Sequence, residues 1–216
     1  MTSPDVLAPA LEPRSRLFID GSFADAADGA TLDAMSPRDG AVLARVASAG
    51  EQDVNRAVAA ARRAFEAGRC AAASPRKRKK VLLRLAELIR ENAEELALLE
   101  TLDVGKPIGE SKRVDVPTAA AVIQWYAEAI DKTYDELAPA GPKALVQITR
   151  EPLGVVAAVV PWNYPLIITS WKLAPALAMG NSVILKPAEQ SALSALLPPR
   201  RCGPVRSGST RSTRPM

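Results

Sequence analysis

Two short apolar runs on either side of an amphipathic segment constrain the fold of this sequence most. The run VVAAVV occupies residues 155–160, and the run SVIL occupies residues 182–185. The first is continuously apolar, as expected of a strand that is covered on both faces of a parallel sheet, and the second is also predicted to be a buried strand. The segment between them, residues 166–179, has helical periodicity and ends at Gly180-Asn181. The pattern predicts a right-handed strand–helix–strand unit.

The first 135 residues have a different pattern, which predicts mostly helix with a little sheet at the start. LFIDGSF at 17–23 predicts a hairpin that turns at Asp20-Gly21, and AVLARVA at 41–47 predicts another strand. Four helices should follow, the last at about 113–133, and the alternating segment LVQIT at 145–149 should be extended.

Apolar residues repeat on one face of each predicted helix. The residues expected inside are Val54, Ala57, Val58, Ala61 and Phe65 in the first helix, Val81, Leu82, Leu85, Leu88 and Ile89 in the second, Leu96, Leu99 and Leu102 in the third, and Val122, Trp125, Tyr126, Ala129 and Ile130 in the fourth. Gly68 and Gly105 should end the first and third helices, and Ser74-Pro75 should begin the second. We expect Trp125 and Trp171 to lie in the core.

The composition indicates a soluble globular chain. Of 216 residues, 48% are apolar and 24% are charged. No apolar run approaches the roughly 18 residues that a membrane span needs. Two cysteines cannot form a disulfide framework, which favours a reducing, cytoplasmic setting. Because the chain has no histidine, zinc sites and Ser–His or Cys–His nucleophile pairs are excluded within it, and we predict no metal site.

The net positive charge belongs to the C-terminal segment. Residues 197–216 hold five arginines and no acidic residue, and without them the net charge of +4 falls to −1. The charge therefore gives no support to a nucleic-acid-binding body. The basic run RKRKK at 76–80 can be interpreted as a nuclear-localisation or RNA-binding patch. We favour its interpretation as the solvated side of the second helix.

Polar residues follow both apolar strands. Pro161, Trp162 and Asn163 come after the first strand, and Lys186 and Glu189 come at the end of the second. Ligands of open parallel sheets bind at the carboxyl ends of the strands, where these two tips are neighbours if the strands are adjacent. A lysine and a glutamate three residues apart can donate to and accept from vicinal hydroxyls, such as those of a ribose. The alternative is that both are solvated loop residues and that Asn163 only forms a turn.

Four segments of the sequence carry a resemblance. VVPWNYPL at 159–166 and WKLAPALAMGNSVILKPAEQS at 171–191 strongly resemble the aldehyde dehydrogenase superfamily. TLDVGKPI and WYAEAIDK resemble its branch that oxidises γ-glutamyl-γ-aminobutyraldehyde and related aminoaldehydes. The likeness runs from about Leu17 to Leu196.

The fold class that this resemblance implies is α/β. It comprises an N-terminal helical region, at about 51–135, and the first βαβ unit of a truncated Rossmann-like parallel sheet, which follows a hairpin, at about 144–190. Residues 17–196 would then be a partial NAD(P)-binding domain behind a flexible N-terminus of residues 1–16. In the full-length family we expect a homo-oligomer, and we expect no nucleic-acid or membrane partner.

The resemblance also implies roles for the polar residues at the strand tips. In this family a cysteine thiolate attacks the aldehyde, and the resulting alkoxide transfers hydride to NAD(P)+. Asn163 would donate its amide N–H to that alkoxide. The implied cofactor-binding residues are Val160, Pro161, Trp162, Lys186, Ala188 and Glu189, with Lys186 and Glu189 on the adenosine ribose. A glutamate near the 2′ position would repel a 2′-phosphate, so NAD is favoured over NADP.

Three residues of interest receive no functional role. Asp103 lies where some members of the family hold a structural monovalent cation, but we expect only a helix-end acid and predict no site there. Cys70 is interpreted as structural, and Cys202, in CGPVRSG, resembles no nucleophile motif. The family's nucleophilic cysteine, its general-base glutamate and its glycine-rich turn all belong beyond the position equivalent to Leu196.

Residues 197–216 resemble the translation of a GC-rich gene in the wrong frame. We hypothesise an N-terminal part of an aldehyde dehydrogenase cut short by a frameshift, with a disordered tail, poor solubility and no activity on its own. Two alternatives stay open. One is a non-catalytic protein that pairs with an intact relative through the hairpin near 145–160, and the other is a nucleic-acid-binding protein.

Overall fold

The computed structural model describes residues 15–195. Its strands are β1 (Leu17–Ile19), β2 (Ser22–Ala24), β3 (Thr31–Met35), β4 (Val42–Ala47), β5 (Glu136–Ala138), β6 (Val146–Ile148), β7 (Val155–Val159) and β8 (Ser182–Lys186). Its main helices are α1 (Glu51–Glu66), α2 (Pro75–Glu91), α3 (Ala93–Val104), α4 (Val116–Ala129) and α5 (Pro165–Ala178). The predicted tail, with Cys202, and residues 1–14 of the predicted N-terminal segment lie outside the described residues.

The strands of the described part form four two-stranded sheets. Three are antiparallel hairpins, β1–β2, β3–β4 and β5–β6, whereas β7 and β8 are parallel. The hairpin predicted near 145–160 is wrong, because β6 pairs with β5 and β7 pairs with β8. The predicted hairpin at 17–23 is confirmed: Asp20 and Gly21 have φ angles of 52° and 80°, which suit a two-residue hairpin turn. The strand at 41–47 is also confirmed. Its partner β3 was not predicted: the polar–apolar alternation in TLDA is short, and only Ala34 of the strand is buried.

Helices α2, α3, α4 and α5 supply the main core. Its buried residues include Leu82, Ile89, Leu96, Ile123 and Leu166, which are at most 3% exposed. Burying a side chain of this size contributes roughly 1.5–3 kcal/mol. The predicted start of α2 and end of α3 are confirmed: the Ser74 hydroxyl accepts the N–H of Lys77 at 3.4 Å ahead of Pro75, and Gly105 ends α3 with a φ angle of 81°.

The predicted inner faces of α1 and α2 are partly wrong. Val54, Val58 and Val81 are exposed by 41–50%. In α1 the buried residues are Asp53 and Ala60 instead. The Asp53 carboxylate accepts the backbone N–H groups of Ala27 and Gly50. These hydrogen bonds turn Asp53 inward, on the face of α1 where hydrophobicity alone predicts valine.

The prediction that two tryptophans lie in the core is wrong. Trp125 is 62% exposed and Trp171 is 57% exposed. The smaller residues Ala119, Ile123 and Ala127 fill the buried face of α4, so Trp125 falls at its flank and meets Tyr126 edge-on, with ring centroids 4.8 Å apart.

The predicted strand–helix–strand unit is confirmed. Strands β7 and β8 pair in parallel from Val155 opposite Ser182 to Val159 opposite Lys186. The Asn181 side chain accepts the N–H of Gly154 at 3.0 Å, which joins the beginnings of the two strands. The expectation of two covered faces is wrong for β7, because Ala158 is buried whereas Val159 is 61% exposed in the described part of the chain.

Candidate functional site

The carboxyl ends of β7 and β8 lie side by side. Directly after β7, the N–H of Val160 donates to the carbonyl oxygen of Lys186, with an N···O distance of 3.0 Å. Val160 itself is buried, and the exposed residues Pro161, Trp162 and Asn163 follow it. One backbone hydrogen bond therefore brings the two polar tips predicted from the sequence to the same edge of the sheet.

Lys186 and Glu189 form an exposed pair at the end of β8. The Lys186 Nζ lies 3.4 Å from the Glu189 Oε1, and their side chains are 58% and 66% exposed. Ala188 between them has an extended backbone, with φ −67° and ψ 147°, and Glu189 then begins a short 3₁₀ turn. An accessible donor and acceptor at this separation can bind two neighbouring hydroxyls.

A groove of about 480 Å³ lies beside these tips. Its lining includes Trp162, Glu189 and Gln190 at the strand tips, and also Met35 and Pro37. The indole of Trp162 is 57% exposed and supplies an apolar surface next to the charged pair. The volume is within the range of small-molecule pockets, and of Lys186 and Glu189 only Glu189 lines the groove.

Asn163 occupies the turn between β7 and α5. Its side chain is exposed, and we find no hydrogen bond from its amide to another residue within 15–195. Tyr164 has φ −139° and ψ 59° and precedes Pro165, the first residue of α5. Proline on each side of Trp162-Asn163-Tyr164 restricts the backbone, so the amide is both accessible and held on a short, stiff segment.

The sequence did not reveal a buried charged cluster that contacts this turn. Lys106 Nζ lies 2.9 Å from Asp115 Oδ2 and 3.6 Å from Glu100 Oε1, and neither acidic side chain is exposed. The same ammonium lies 4.1 Å from the centroid of the Tyr164 ring. Lys106 directly follows the helix-ending Gly105, which was the one signal available in the sequence.

Asp103 is a helix-end acid, and its carboxylate is used within the protein. Its Oδ2 accepts the N–H groups of Leu193 and Ser194 at 2.9 and 3.1 Å. Burial raises the pKa of Asp103 to about 6, although these hydrogen bonds oppose the shift. Among residues 15–195 no group of three or more cysteine and acidic side chains is placed to hold a metal ion.

Cys70 is a half-buried packing residue. Its Sγ lies 3.7 Å from the carbonyl oxygen of Leu177, and burial raises the pKa of the thiol. A raised pKa disfavours the thiolate, which is the nucleophilic form.

Among the helices of residues 15–195, none combines the length and the apolar character that a membrane span requires.

Comparisons with known proteins identify the family. The sequence model described as "Aldehyde dehydrogenase family" matches residues 23–199, and the chain therefore belongs to that family. It is 54% identical over 189 residues to the NADP/NAD-dependent aldehyde dehydrogenase PuuC of Escherichia coli K12, which covers 88% of this chain and 38% of PuuC. The α/β fold and the resemblance stated from the motifs are thus confirmed.

Solved structures agree with that assignment. The γ-glutamyl-γ-aminobutyraldehyde dehydrogenase of Burkholderia cenocepacia J2315 superposes with a TM-score of 0.84 and 59% identity, over 88% of this chain and 39% of that one. A mutant of the indole-3-acetaldehyde dehydrogenase AldA of P. syringae, in complex with NAD+ and IAA, superposes with a TM-score of 0.84 and 52% identity. This match covers 89% of this chain and 39% of that one. The chain thus spans about two fifths of the length of the relatives it matches.

Proposed function

We propose that this chain is the N-terminal part of an NAD(P)+-dependent aldehyde dehydrogenase that oxidises an aldehyde, of the aminoaldehyde class, to a carboxylic acid. The observation that supports it most is the hydrogen bond from Val160 to Lys186, which puts Asn163, Lys186 and Glu189 at one sheet edge. The substrate class rests on similarity to the B. cenocepacia enzyme and to PuuC. The cytoplasmic setting and the frameshift stay predictions.

Lys186 and Glu189 are proposed to bind the adenosine ribose of the dinucleotide. The ammonium donates to one ribose hydroxyl and the carboxylate accepts from the other, while the backbone at Val160, Pro161 and Trp162, together with Ala188, is proposed to face the dinucleotide. The fit is supported by the exposure of both side chains and by the groove beside Trp162. When bound, the nicotinamide accepts the hydride that oxidation of the aldehyde releases.

Asn163 is proposed to stabilise the oxyanion of the reacting aldehyde through its amide N–H. A neutral donor stabilises developing negative charge without neutralising a nearby thiolate. The prolines around the turn support this role, since a preorganised donor does not have to reorient during the reaction. Loss of one such donor typically costs about 3 kcal/mol of transition-state stabilisation.

We further propose that the 216-residue chain is inactive by itself. The half-buried thiol of Cys70, with its raised pKa, is a poor nucleophile, and Cys202 resembles no nucleophile motif. Incubating the chain with NAD+ and an aminoaldehyde should therefore produce no NADH absorbance. Steady NADH formation that scales with the concentration of the chain would contradict this part of the proposal.

The binding proposal is tested by titrating NADH into the full chain and following the nucleotide's fluorescence. Lys186→Met with Glu189→Gln should weaken binding about tenfold or more, because charged hydrogen bonds contribute roughly 1.5–3 kcal/mol each. The matched control is Lys80→Met with Glu87→Gln on the exposed side of α2, which removes the same charges elsewhere. Equal affinity of the site variant and the control would refute the assignment.

The choice between NAD and NADP has its own test. If Glu189 repels a 2′-phosphate, Glu189→Gln should tighten NADPH binding while it weakens NADH binding. An unchanged ratio of the two dissociation constants would mean that Glu189 does not face the 2′ position.

A second function, association with an intact aldehyde dehydrogenase, is favoured by the β5–β6 hairpin. Leu137 and Leu145 are 68% and 77% exposed, and Ile148 is 49% exposed. Exposed apolar clusters of this kind commonly mark protein interfaces. Co-expression with a full-length relative should yield a complex on size exclusion that Leu137→Lys with Leu145→Lys abolishes. Separate elution of the unmodified chain would count against this function.

A further inference from the structure

The Lys106 ammonium is held in place by two carboxylates from different elements. Glu100 belongs to α3, and Asp115 ends the π-helical turn Ser111–Asp115 that precedes α4. Both acidic side chains are fully buried, and only 10% of the lysine side chain is exposed. Desolvating three ionisable groups is costly, and replacing such groups with apolar side chains often stabilises a protein. Retaining the cluster therefore calls for a reason other than stability.

The segment before Lys106 is also built for one geometry. Gly105 has a φ of 81°, and a Cβ atom there would lie 2.7 Å from Cγ of Pro37. The π-helical turn carries the hydrogen bond from Val116 N–H to the Ser111 carbonyl, five residues back. Single π-helical turns inside helices are rare and are frequent at functional sites. Both features fix where Lys106 and Asp115 meet.

The Lys106 ammonium also contacts the aromatic ring of Tyr164. Lys106 Nζ lies 4.1 Å from the centroid of the Tyr164 ring, the geometry of a cation–π contact. Tyr164 directly follows Asn163, and its ring joins the charged cluster to the turn. We propose that Lys106 is a positioning residue, which, held by Glu100 and Asp115, fixes through Tyr164 the backbone position of the turn that carries Asn163. This inference rests on the proposed role of Asn163.

The test follows the backbone amide resonance of Asn163 in the full, ¹⁵N- and ¹³C-labelled chain, assigned by triple-resonance NMR. In Lys106→Met the apolar stem remains but the charge is lost, and the Asn163 resonance should shift toward its value in an unstructured chain. In Lys106→Arg, which keeps the charge, the resonance should stay where it lies in the unmodified chain. The backbone N–H of Asn181, which donates to the Ala176 carbonyl at 3.0 Å, should not shift; a shift there would report general loosening.

Two further variants separate a positioning role from a structural one. Lys112→Met breaks the exposed ion pair with Glu94 and should leave the Asn163 resonance in place. Tyr164→Leu keeps the buried cluster and should reproduce the shift of Lys106→Met. With Tyr164→Leu present, Lys106→Arg should no longer keep the unmodified resonance. Tyr164→Leu alone tests the proposal if Lys106→Met does not fold.

The inference is overturned if Asn163 keeps its resonance in folded Lys106→Met or in Tyr164→Leu. It is also overturned if Asn181 shifts as much as Asn163, because the cluster would then act on stability alone. These readings do not depend on nucleotide. Failure of NADH to bind the unmodified chain would refute the proposed cofactor site and leave the positioning result as measured.

Discussion

Burial of Glu100 should make the stability of this protein fall as pH rises. Burial is the largest effect on its carboxyl group and raises the pKa from 4.5 to about 7, against the opposing effects of Ser194 and Lys106. The folded state therefore holds this proton at pH values where the unfolded chain has released it. Stability is lost progressively between about pH 4.5 and 7, and each pKa unit corresponds to about 1.4 kcal/mol. The expected loss is on the order of 3 kcal/mol.

The assay is urea unfolding of the full chain at pH 5, 6, 7 and 8, followed by far-ultraviolet circular dichroism. Glu100→Gln carries no ionisable group at this position, so its unfolding free energy should fall with pH less steeply than that of the unmodified chain. Asp103, whose pKa is raised to about 6, adds a slope of the same sign in both proteins. The difference between the two proteins therefore isolates Glu100.

The control is Glu87→Gln, which removes an exposed carboxylate paired with Arg84 at 3.1 Å. Exposed pairs of this kind contribute at most about 1 kcal/mol, so this variant should keep the pH slope of the unmodified chain. If Glu100→Gln shows the same slope as Glu87→Gln, the reasoning that burial dominates over the attraction of Lys106 is refuted.

Three other changes have expected outcomes. Gly105→Ala should lower the unfolding free energy by more than about 1 kcal/mol, because the new Cβ would lie 2.7 Å from Pro37 at a φ of 81°; urea unfolding measures this, and an unchanged midpoint contradicts it. Ile123→Ala at the centre of the helical core, where the side chain is 1% exposed, should cost about 2–5 kcal/mol by the same assay, and a loss below 1 kcal/mol would mean that the site is not tightly packed. Leu145→Lys with Ile148→Lys should reduce self-association on light scattering without changing the unfolding free energy; unchanged association would place the sticky surface elsewhere.

Much of the fold could be predicted from the sequence because its signals are local. The apolar runs located the helices and the βαβ unit. The first hairpin was recognised from Asp20-Gly21, and helix ends were recognised from Ser74-Pro75 and Gly105. Backbone preference and hydrophobic period act over a few residues, so these features can be recognised without knowing what packs against them. The motifs around Asn163 and Lys186 likewise indicated the family that the comparisons confirm.

The roles of Asn163, Lys186 and Glu189 stay predictions, whereas their meeting at one edge was settled by the pairing of β7 with β8. Only the tertiary structure decided which helix faces are buried. A periodic pattern of valines and tryptophans is the same whether or not another element covers that face of the helix. Val54 and Trp125 fit such a pattern and are nevertheless exposed.

The tertiary structure alone also decided the surroundings of the turn that carries Asn163. Glu100, Lys106, Asp115 and Tyr164 are separated by up to 64 positions in the sequence, and no local pattern relates a helix-end lysine to an aromatic ring that far along the chain. Charge burial depends on which elements come together, because the same glutamate is an ordinary solvated acid on an isolated helix and has a pKa of about 7 in the core. The sequence by itself determined the local elements and the family, and packing determined the electrostatics.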